Sequence, residues 1–408
     1  MQPLNDTFSF IDTQHDHMVA AIIDLANINS HTFNLPGLSQ SIDHVLTLIA
    51  PLNPDTLNRV PTQPASIMTN DGSITSQPLA DTLIITKRPT APLQAILCIH
   101  LDTVYPPDHP LQSISWLDDH TLNGPGVIDA KGGLVTLITA LHAFEQSFHA
   151  QNLGWKIILN PDEEIGSPGS ASILKEHAPT AHFGMVYEPA LPNGNLISHR
   201  KGSGNFSLSI PGTAAHAGRD FFSGNNALLT ATNIANQLAK LTDKAAGTTV
   251  NIAALHSGGP FNVVPGHAIL RFNVRLQTPE EQTRITIELD NIIAEINPSL
   301  PAPITIHGSF NNPPKPLTSP IEKLIADLQT AGQSFGLSFG TEPSGGVCDG
   351  NKLAAAGLPN IDTLGPRGNF MHSDKEQLNT QSLTERCKLS AALLIHYASG
   401  TLTPPNSL

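Results

Sequence analysis

The chain has 408 residues, of which 39% are hydrophobic and only 13% charged, and its formal net charge is −13. This acidic balance argues against a nucleic-acid binder, which needs a basic face, and fits poorly with an anionic membrane surface. Three sparse cysteines form no disulfide framework, and neither a signal peptide nor a stretch of about 20 apolar residues is visible, so we expect a cytoplasmic protein without a membrane span.

The first half of the chain alternates between predicted helices and predicted strands. Amphipathic patterns predict two opening helices, near 14–27 and 39–50. Apolar runs of strand length and one helical pattern follow, with the strands at 92–101, 155–160 and 182–189 and the helix at 131–148. This alternation predicts an α/β fold with a mainly parallel sheet and helices on both faces.

A compact α+β unit is predicted in the middle of the chain. Its elements run strand, helix, strand, strand, helix, strand, and the Pro-rich segment 311–316 is its predicted exit linker. Helix–strand alternation then resumes, up to a final helix near 381–398. We therefore predict one domain formed by residues 1–198 plus 312–408, and an inserted α+β, ferredoxin-like domain at 199–311.

Polar side chains follow the predicted strands. His100 and Asp102 end the first apolar run, and Asp129 lies in a Gly-rich loop before the long helix. Residues two apart on a strand face the same side, so Asp102 can orient the ring of His100. Taken singly, these residues also fit a solvated loop entrance and an ordinary helix N-cap.

Four further polar residues continue this pattern. Glu163 and Glu164 directly follow the strand at 155–160, Glu188 follows the next strand, and His372 lies near the C-terminus. Adjacent carboxylates repel one another unless a cation lies among them, although a solvated turn is the simpler interpretation of each motif alone. The carboxyl ends of strands are where open α/β sheets place their sites, so the whole series indicates one site.

The order and context of these motifs resemble the di-zinc family of glutamate carboxypeptidase, acetylornithine deacetylase, succinyl-diaminopimelate desuccinylase and aminoacylase. The resemblance covers nearly the whole chain and extends to GTAAHAG at 212–218 and NVVP at 262–265. It is greatest with the glutamate carboxypeptidase branch, through GPGVIDAKGG, FNVVPGHAILRFNVRL and HSDKE. The resemblance implies a zinc-hydrolase catalytic domain with an inserted dimerisation and lid domain.

The resemblance also implies two Zn²⁺ per chain, with Co²⁺ or Mn²⁺ as substitutes. His100 and Glu188 would bind one ion, Glu164 and His372 the other, and Asp129 would bridge them. Nitrogen and oxygen ligands of this kind suit zinc, and a metal pair can activate water and polarise a carbonyl.

Other residues take catalytic and binding roles by the same resemblance. Glu163 would transfer the proton, and His216 would reach the partner subunit's site in a homodimer and hydrogen-bond the oxyanion. Arg275 would bind the substrate carboxylate, helped by Asn262. The family's Gly-rich loop behind the site would contain Gly345, Gly346 and Asp349.

Two positions depart from the family pattern, and alternatives remain open. Cys348 stands where many relatives have Thr, which puts the side-chain specificity in doubt, and Ala130 stands where many have an acidic residue. The predicted substrate is a small peptide or N-acyl amino acid with a free carboxylate. A deacylase of the acetylornithine or aminoacylase type is the alternative enzyme. A non-catalytic metal binder would be favoured by the loss of Glu163 or a ligand, and all are present.

Overall fold

The computed structural model describes residues 2–405. Its helices are α1 (Gln2–Thr13), α2 (His15–Ala26), α3 (Leu35–Ile49), α4 (Gly132–Glu145), α5 (Ala171–His177), α6 (Ala227–Ala239), α7 (Pro279–Ile296), α8 (Ser319–Gln333), α9 (Asp349–Ala355) and α10 (Ser382–Ala398). Its strands are β1 (Thr56–Val60), β2 (Ala65–Met68), β3 (Ile74–Gln77), β4 (Thr82–Lys87), β5 (Leu93–His100), β6 (Ser115–Trp116), β7 (Thr121–Asn123), β8 (Leu153–Asn160), β9 (Phe183–Val186), β10 (Leu196–Arg200), β11 (Gly202–Pro211), β12 (Thr249–Ser257), β13 (His267–Leu276), β14 (Thr305–Asn312), β15 (Thr341–Ser344), β16 (Asn360–Ile361), β17 (Gly368–Asn369) and β18 (Gln377–Asn379).

A six-stranded sheet in the order β1-β4-β8-β5-β9-β16 forms the centre of the larger unit. The strands β8, β5, β9 and β16 are parallel, whereas β4 and β1 are antiparallel to their neighbours. The predicted α/β fold with a mainly parallel sheet is confirmed, and the antiparallel edge makes the sheet a mixed one.

Helices cover both faces of this sheet. Along β5, Leu97 and Ile99 pack into the core that includes α4 and α10, while Ile96 and Cys98 pack against α5 and α9. Because both faces are buried, the strand is continuously apolar rather than alternating. The segment Val127–Glu145 is apolar and long enough to resemble a membrane span, but 89% of its most apolar stretch is buried inside the protein.

A second sheet, with the order β12-β13-β11-β14 and every neighbour antiparallel, lies between the two halves of the larger unit in sequence. Two helices, α6 and α7, pack on one of its faces over a separate hydrophobic core. The β-α-β-β-α-β order is ferredoxin-like, as expected. Asn311 and Asn312 belong to β14, so the connection out of this unit is shorter than the predicted linker. We call β11–β14 with α6 and α7 the insert sheet unit, and its four-stranded sheet the insert sheet.

Two chain segments connect the insert sheet unit to the larger unit, and they bind each other. The backbone N–H of Arg200 donates to the carbonyl of Lys315 at 2.9 Å, and the backbone N–H of Lys315 donates to the carbonyl of Arg200 at 3.0 Å. The buried carboxylate of Asp362 accepts from Arg200 Nε at 2.8 Å and from Lys315 Nζ at 2.7 Å. One buried side chain therefore ties both connections to the central sheet.

Candidate metal centre

The predicted site residues meet at one edge of the central sheet. His100 is the last residue of β5, Glu163 and Glu164 form the turn after β8, and Glu188 follows β9 by two residues. Because these three strands are parallel, their carboxyl ends share one edge, which is where α/β sheets place ligands.

Asp129 lies between two histidines. Its Oδ1 is 3.0 Å from Nε2 of His100, and its Oδ2 is 3.1 Å from Nε2 of His372. The two oxygens of one carboxylate therefore face different imidazoles, which is the arrangement that a bridging ligand requires.

Two three-residue groups could each hold a metal, and Asp129 belongs to both. The first contains His100 and Glu188, and the second contains Glu164 and His372; within each group the ligand atoms lie within 4.8 Å of one another. The structure thus brings together all five residues that the sequence indicates as ligands, in the two predicted pairs.

Asp102 contacts both His100 and the turn that contains Glu163 and Glu164. Its backbone carbonyl lies 2.9 Å from Nδ1 of His100, closer than its own carboxylate oxygen at 3.3 Å. The carboxylate instead accepts the backbone N–H of Glu163 at 3.1 Å, the N–H of Glu164 at 3.2 Å and the hydroxyl of Thr32 at 2.7 Å. Asp102 therefore positions the turn after β8 as well as the imidazole that the sequence predicts it to orient.

Glu376 supports the site and has no role in the sequence-based prediction. Its Oε1 accepts the backbone N–H groups of Ile128 at 2.9 Å and Asp129 at 3.1 Å, and its Oε2 binds the hydroxyl of Tyr105. It therefore fixes the turn that presents Asp129. The signal that could have identified it is its place in HSDKE, four residues after His372.

The carboxylates of this centre are too close to be charged together without a cation. Burial raises the pKa of Glu188 to about 8, and the charge of Asp129 adds to this rise. Burial and the same charge raise the pKa of Glu164 to about 7. Hydrogen bonds to Asp129 and Glu164 raise the pKa of His372 to about 11. Burial alone would raise the pKa of Asp129, but its bonds to the histidines hold it below the ordinary value.

The donor set fits two divalent cations. It consists of imidazole nitrogens and carboxylate oxygens, which suit zinc. Oε1 of Glu164 is buried and has no hydrogen-bond partner among the described residues, although buried polar atoms normally have one. A cation would satisfy this oxygen and relieve the repulsion between the carboxylates.

Arg275 lies on the open face of the insert sheet and is half-buried. Its Nε donates to Asn273 at 3.1 Å, and its Nη1 is buried with no partner in the described part of the chain. Burial lowers the pKa of Arg275, while the negative charge of Glu163 raises it, so the two groups interact electrostatically. Arg275 thus offers donors to an anion near Glu163.

His216 and Asn262 lie on adjoining exposed loops of the insert sheet unit. The N–H of Ala217 donates to the carbonyl of Asn262 at 2.8 Å, and His216 forms a bridge with Val263. Within the described residues of one chain, no hydrogen bond or ion pair joins His216 to the five metal-site residues.

The Gly-rich loop lies between β15 and α9, beside the connections to the insert sheet unit. A Cβ at Gly346 would be 3.7 Å from Nη1 of Arg200, whereas Gly345 has open space around it. The buried Asp349 accepts from Asn160 at 2.6 Å and from Ser167 at 2.5 Å. Asp349 therefore supports the turn after β8, and among the described residues a Cβ at Gly345 or Gly346 would meet none of the five candidate ligands.

Known proteins are similar to this chain in sequence over much of its length. The model of peptidase family M20/M25/M40 matches residues 96–396. Carboxypeptidase G2 from Pseudomonas sp. (strain RS-16) is 27% identical over 314 residues, covering 75% of this chain and 74% of the relative. Succinyl-diaminopimelate desuccinylase from Nitrosospira multiformis is 26% identical over 277 residues, covering 65% of this chain and 71% of the relative.

Solved structures share the fold over nearly the whole chain. An M20 family metallo-carboxypeptidase from Sulfolobus solfataricus superposes with a TM-score of 0.73 at 14% identity, covering 94% of this chain and 99% of its own. A tripeptidase from Staphylococcus aureus superposes with a TM-score of 0.72 at 20% identity, with the same two coverages. At these identities the likeness concerns the fold alone.

Proposed function

This chain belongs to peptidase family M20/M25/M40, and on that basis we propose that it is a metal-dependent hydrolase of peptides or N-acyl amino acids that carry a free carboxylate. The observation that carries the proposal is Asp129, whose two oxygens face the two histidines of two adjoining three-residue groups. Similarity to a carboxypeptidase supports the substrate class.

The proposed cofactor is a pair of zinc ions. His100, Asp129 and Glu188 would hold one ion, and Asp129, Glu164 and His372 would hold the other. Two such ions, when bound, polarise a scissile carbonyl and lower the pKa of a water molecule.

Glu163 is the proposed proton carrier. Burial, followed by the charge of Glu188, raises its pKa well above the ordinary value, so its carboxyl group has a high proton affinity. Its place in the turn is fixed by the bond from its N–H to Asp102. In the proposed reaction Glu163 accepts a proton from the attacking water and delivers it to the leaving nitrogen.

Arg275 is the proposed carboxylate-binding residue. A guanidinium presents parallel donors that match a carboxylate, and Nη1 of Arg275 has no partner among the described residues. In the leaving amino acid, the nitrogen and the carboxylate are attached to the same carbon. Glu163 and Arg275 interact electrostatically, so Glu163 could act on the nitrogen while Arg275 binds the carboxylate.

A homodimer is the proposed assembly. His216 and Asn262 are exposed in one subunit and would complete the oxyanion and substrate contacts of the other. Apolar side chains around them support a protein contact, because Phe222 is 99% exposed and Phe261 is also fully exposed.

Cytoplasmic location is proposed from three buried cysteines, none of which forms a disulfide.

A deacylase is the second candidate. It is favoured by the similarity to succinyl-diaminopimelate desuccinylase, and it differs from the first only in the group on the acyl side of the bond.

A substrate panel tests the reaction. Purified protein would be assayed with zinc, cobalt or manganese against dipeptides and N-acyl amino acids, each supplied with a free C-terminal carboxylate and as its amide. We expect hydrolysis of the compounds that carry a free C-terminal carboxylate. Arg275→Ala should reduce kcat/KM for these compounds far more than for their C-terminal amides, because only a carboxylate forms an ion-paired hydrogen bond with the guanidinium. Equal reductions for both would contradict the assignment of Arg275, and no hydrolysis of any compound would contradict the proposed reaction.

Metal analysis tests the proposed centre separately. We expect about two equivalents of metal per chain, and Asp129→Ala should lose both because each group depends on the shared carboxylate. Asp43→Asn, which alters an exposed carboxylate far from the site in sequence, is the control and should keep both ions. Two tightly bound ions in Asp129→Ala would contradict the bridging role.

A further inference from the structure

A β-hairpin formed by β2 and β3 reaches from the larger unit to the insert sheet unit. Arg271, on β13, donates from Nη2 to the carbonyl of Met68 at 2.8 Å and from Nη1 to Oδ1 of Asn70 at 2.7 Å. Ser66 Oγ lies 3.0 Å from Nε2 of His307 on β14. The hairpin is therefore a non-covalent link between the two units, in addition to the two chain connections.

A cleft of about 720 Å³ lies between this hairpin, the open face of the insert sheet and the loops of the larger unit. Pockets that bind small molecules have volumes of about 300–1,000 Å³. The hairpin contributes Ile67, the larger unit contributes Phe33 and Ile165, and the open face of the insert sheet contributes the polar Asn205 and Asn273. The cleft thus combines apolar walls with a few polar groups.

The cleft borders the turn after β8 that contains Glu163 and Glu164. Ile165 belongs to the same short turn as Glu163 and Glu164. Phe33 follows Thr32, whose hydroxyl donates to Asp102. On the opposite wall, the side chain of Asn273 accepts a hydrogen bond from Arg275.

The cleft has few charged groups in its lining. Its lining contains no aspartate, glutamate or lysine among the described residues, and its single arginine, Arg271, donates two hydrogen bonds to the hairpin. A cationic substituent would find no carboxylate partner among the described lining residues, whereas an apolar one would be removed from water.

We propose that this cleft binds the acyl side of the substrate, that it favours a bulky, apolar acyl group, and that the hairpin is its outer wall. The inference rests on the proposed function. There Glu163 and Arg275 hold the leaving amino acid, and neither of them lines the cleft. The acyl group extends from the other side of the scissile carbon, so it is the part of the substrate left to occupy this space.

Two isoleucines of the hairpin provide a matched pair of variants. Ile67 lines the cleft and is 36% exposed, whereas Ile74 does not line it and is 55% exposed. Neither side chain is fully buried, so both Ile67→Asp and Ile74→Asp should fold. With one amino acid held constant, kcat/KM would be measured for acetyl, hexanoyl and 4-phenylbutanoyl derivatives, and then with one acyl group constant for several amino acids.

We expect the unaltered protein to prefer the longer acyl groups. Ile67→Asp should lower kcat/KM for the hexanoyl and phenylbutanoyl compounds by about tenfold or more, because a charge replaces an apolar contact, and should leave the acetyl compound nearly unchanged. Ile74→Asp should match the unaltered protein throughout. Arg271→Ala, which frees the hairpin from β13, should reduce the preference for long acyl groups in the same direction.

The contrary outcomes are distinguishable. If the protein hydrolyses acyl amino acids but Ile67→Asp affects all acyl lengths equally, the cleft is not the acyl subsite. If Ile67→Asp changes selectivity among amino acid side chains instead, the cleft belongs to the leaving side, and the proposal is overturned. If no N-acyl amino acid or peptide is hydrolysed with any of the metals, the proposed function itself fails.

Discussion

Glu163 and Glu164 are adjacent in the chain, but their surroundings favour different roles. Oε2 of Glu164 lies 3.3 Å from Nε2 of His372, within one of the metal-site groups. Glu163 belongs to neither group and interacts electrostatically with Glu188 and Arg275. One residue therefore suits a ligand and the other suits a proton carrier.

The role of Glu163 predicts a separation between metal binding and turnover. Glu163→Gln keeps the shape and the backbone bond to Asp102 but cannot accept a proton. We expect kcat to fall by about 10²–10⁴-fold while metal content stays at the level of the unaltered protein. Steady-state kinetics and metal analysis of the same preparation would test this. A variant with unchanged kcat would remove Glu163 from the proton transfer.

Among the secondary-structure elements, the two connections to the insert sheet unit depend on Asp362. This carboxylate is fully buried and binds two buried cations, Arg200 and Lys315. Burial alone would raise its pKa, but the two positive charges outweigh that effect and lower the pKa from 3.8 to about 2. The group therefore stabilises the folded state at pH values above its unfolded pKa near 3.8, and this contribution is lost as the pH falls towards 2.

Removal of this charge should destabilise the protein strongly. Asp362→Asn leaves two buried cations without an anion, and breaking buried pairs of this kind costs about 3–5 kcal/mol. We expect a clearly lower urea midpoint for unfolding at pH 7, and a smaller difference from the unaltered protein as the pH approaches 2. Asp43→Asn is the control, because its pair with Arg59 is exposed and contributes about 0–1 kcal/mol. Equal midpoints for the two variants would show that Asp362 is not a structural anchor.

Across the molecule as a whole, the candidate catalytic groups occupy two distinct units. The five metal-site residues and Glu163 lie around the central sheet, whereas His216 lies on an exposed loop of the insert sheet unit. In the proposed homodimer each active site combines the metal-site residues of one subunit with the His216 of the other.

This arrangement predicts complementation between inactive variants. His216→Ala should keep two metals and lose about 10²–10³-fold in kcat through the missing oxyanion donor. Mixed with Glu163→Gln and allowed to exchange subunits, it should form hybrids in which one of the two sites is intact. About a quarter of the unaltered activity should then reappear in an equimolar mixture of a two-fold symmetric dimer. Verified hybrids without recovered activity, or a monomeric active species, would contradict the role of His216 across the interface.

The main strands and the residues at their ends could be predicted from the amino-acid sequence alone. Apolar runs buried on both faces have few alternatives to a central strand, so β5, β8 and β9 were predicted to within a few residues. The polar residues after them stand out because each interrupts an apolar run at a strand end. Their order, through the family resemblance, indicated the five residues that the structure brings together in two candidate metal groups.

The residues that hold the candidate site in place, and the contacts that join the two units, could be identified only from the folded structure. Glu376 and Thr32 contact Asp129 and Asp102 across 247 and 70 positions in the chain, respectively, and no local pattern specifies such partners. The antiparallel edge of the central sheet, the anchoring by Asp362 and the contact between the hairpin and β13 are long-range in the same sense. Periodicity reports which face of an element is buried, whereas the identity of what covers that face depends on the folding of the whole chain.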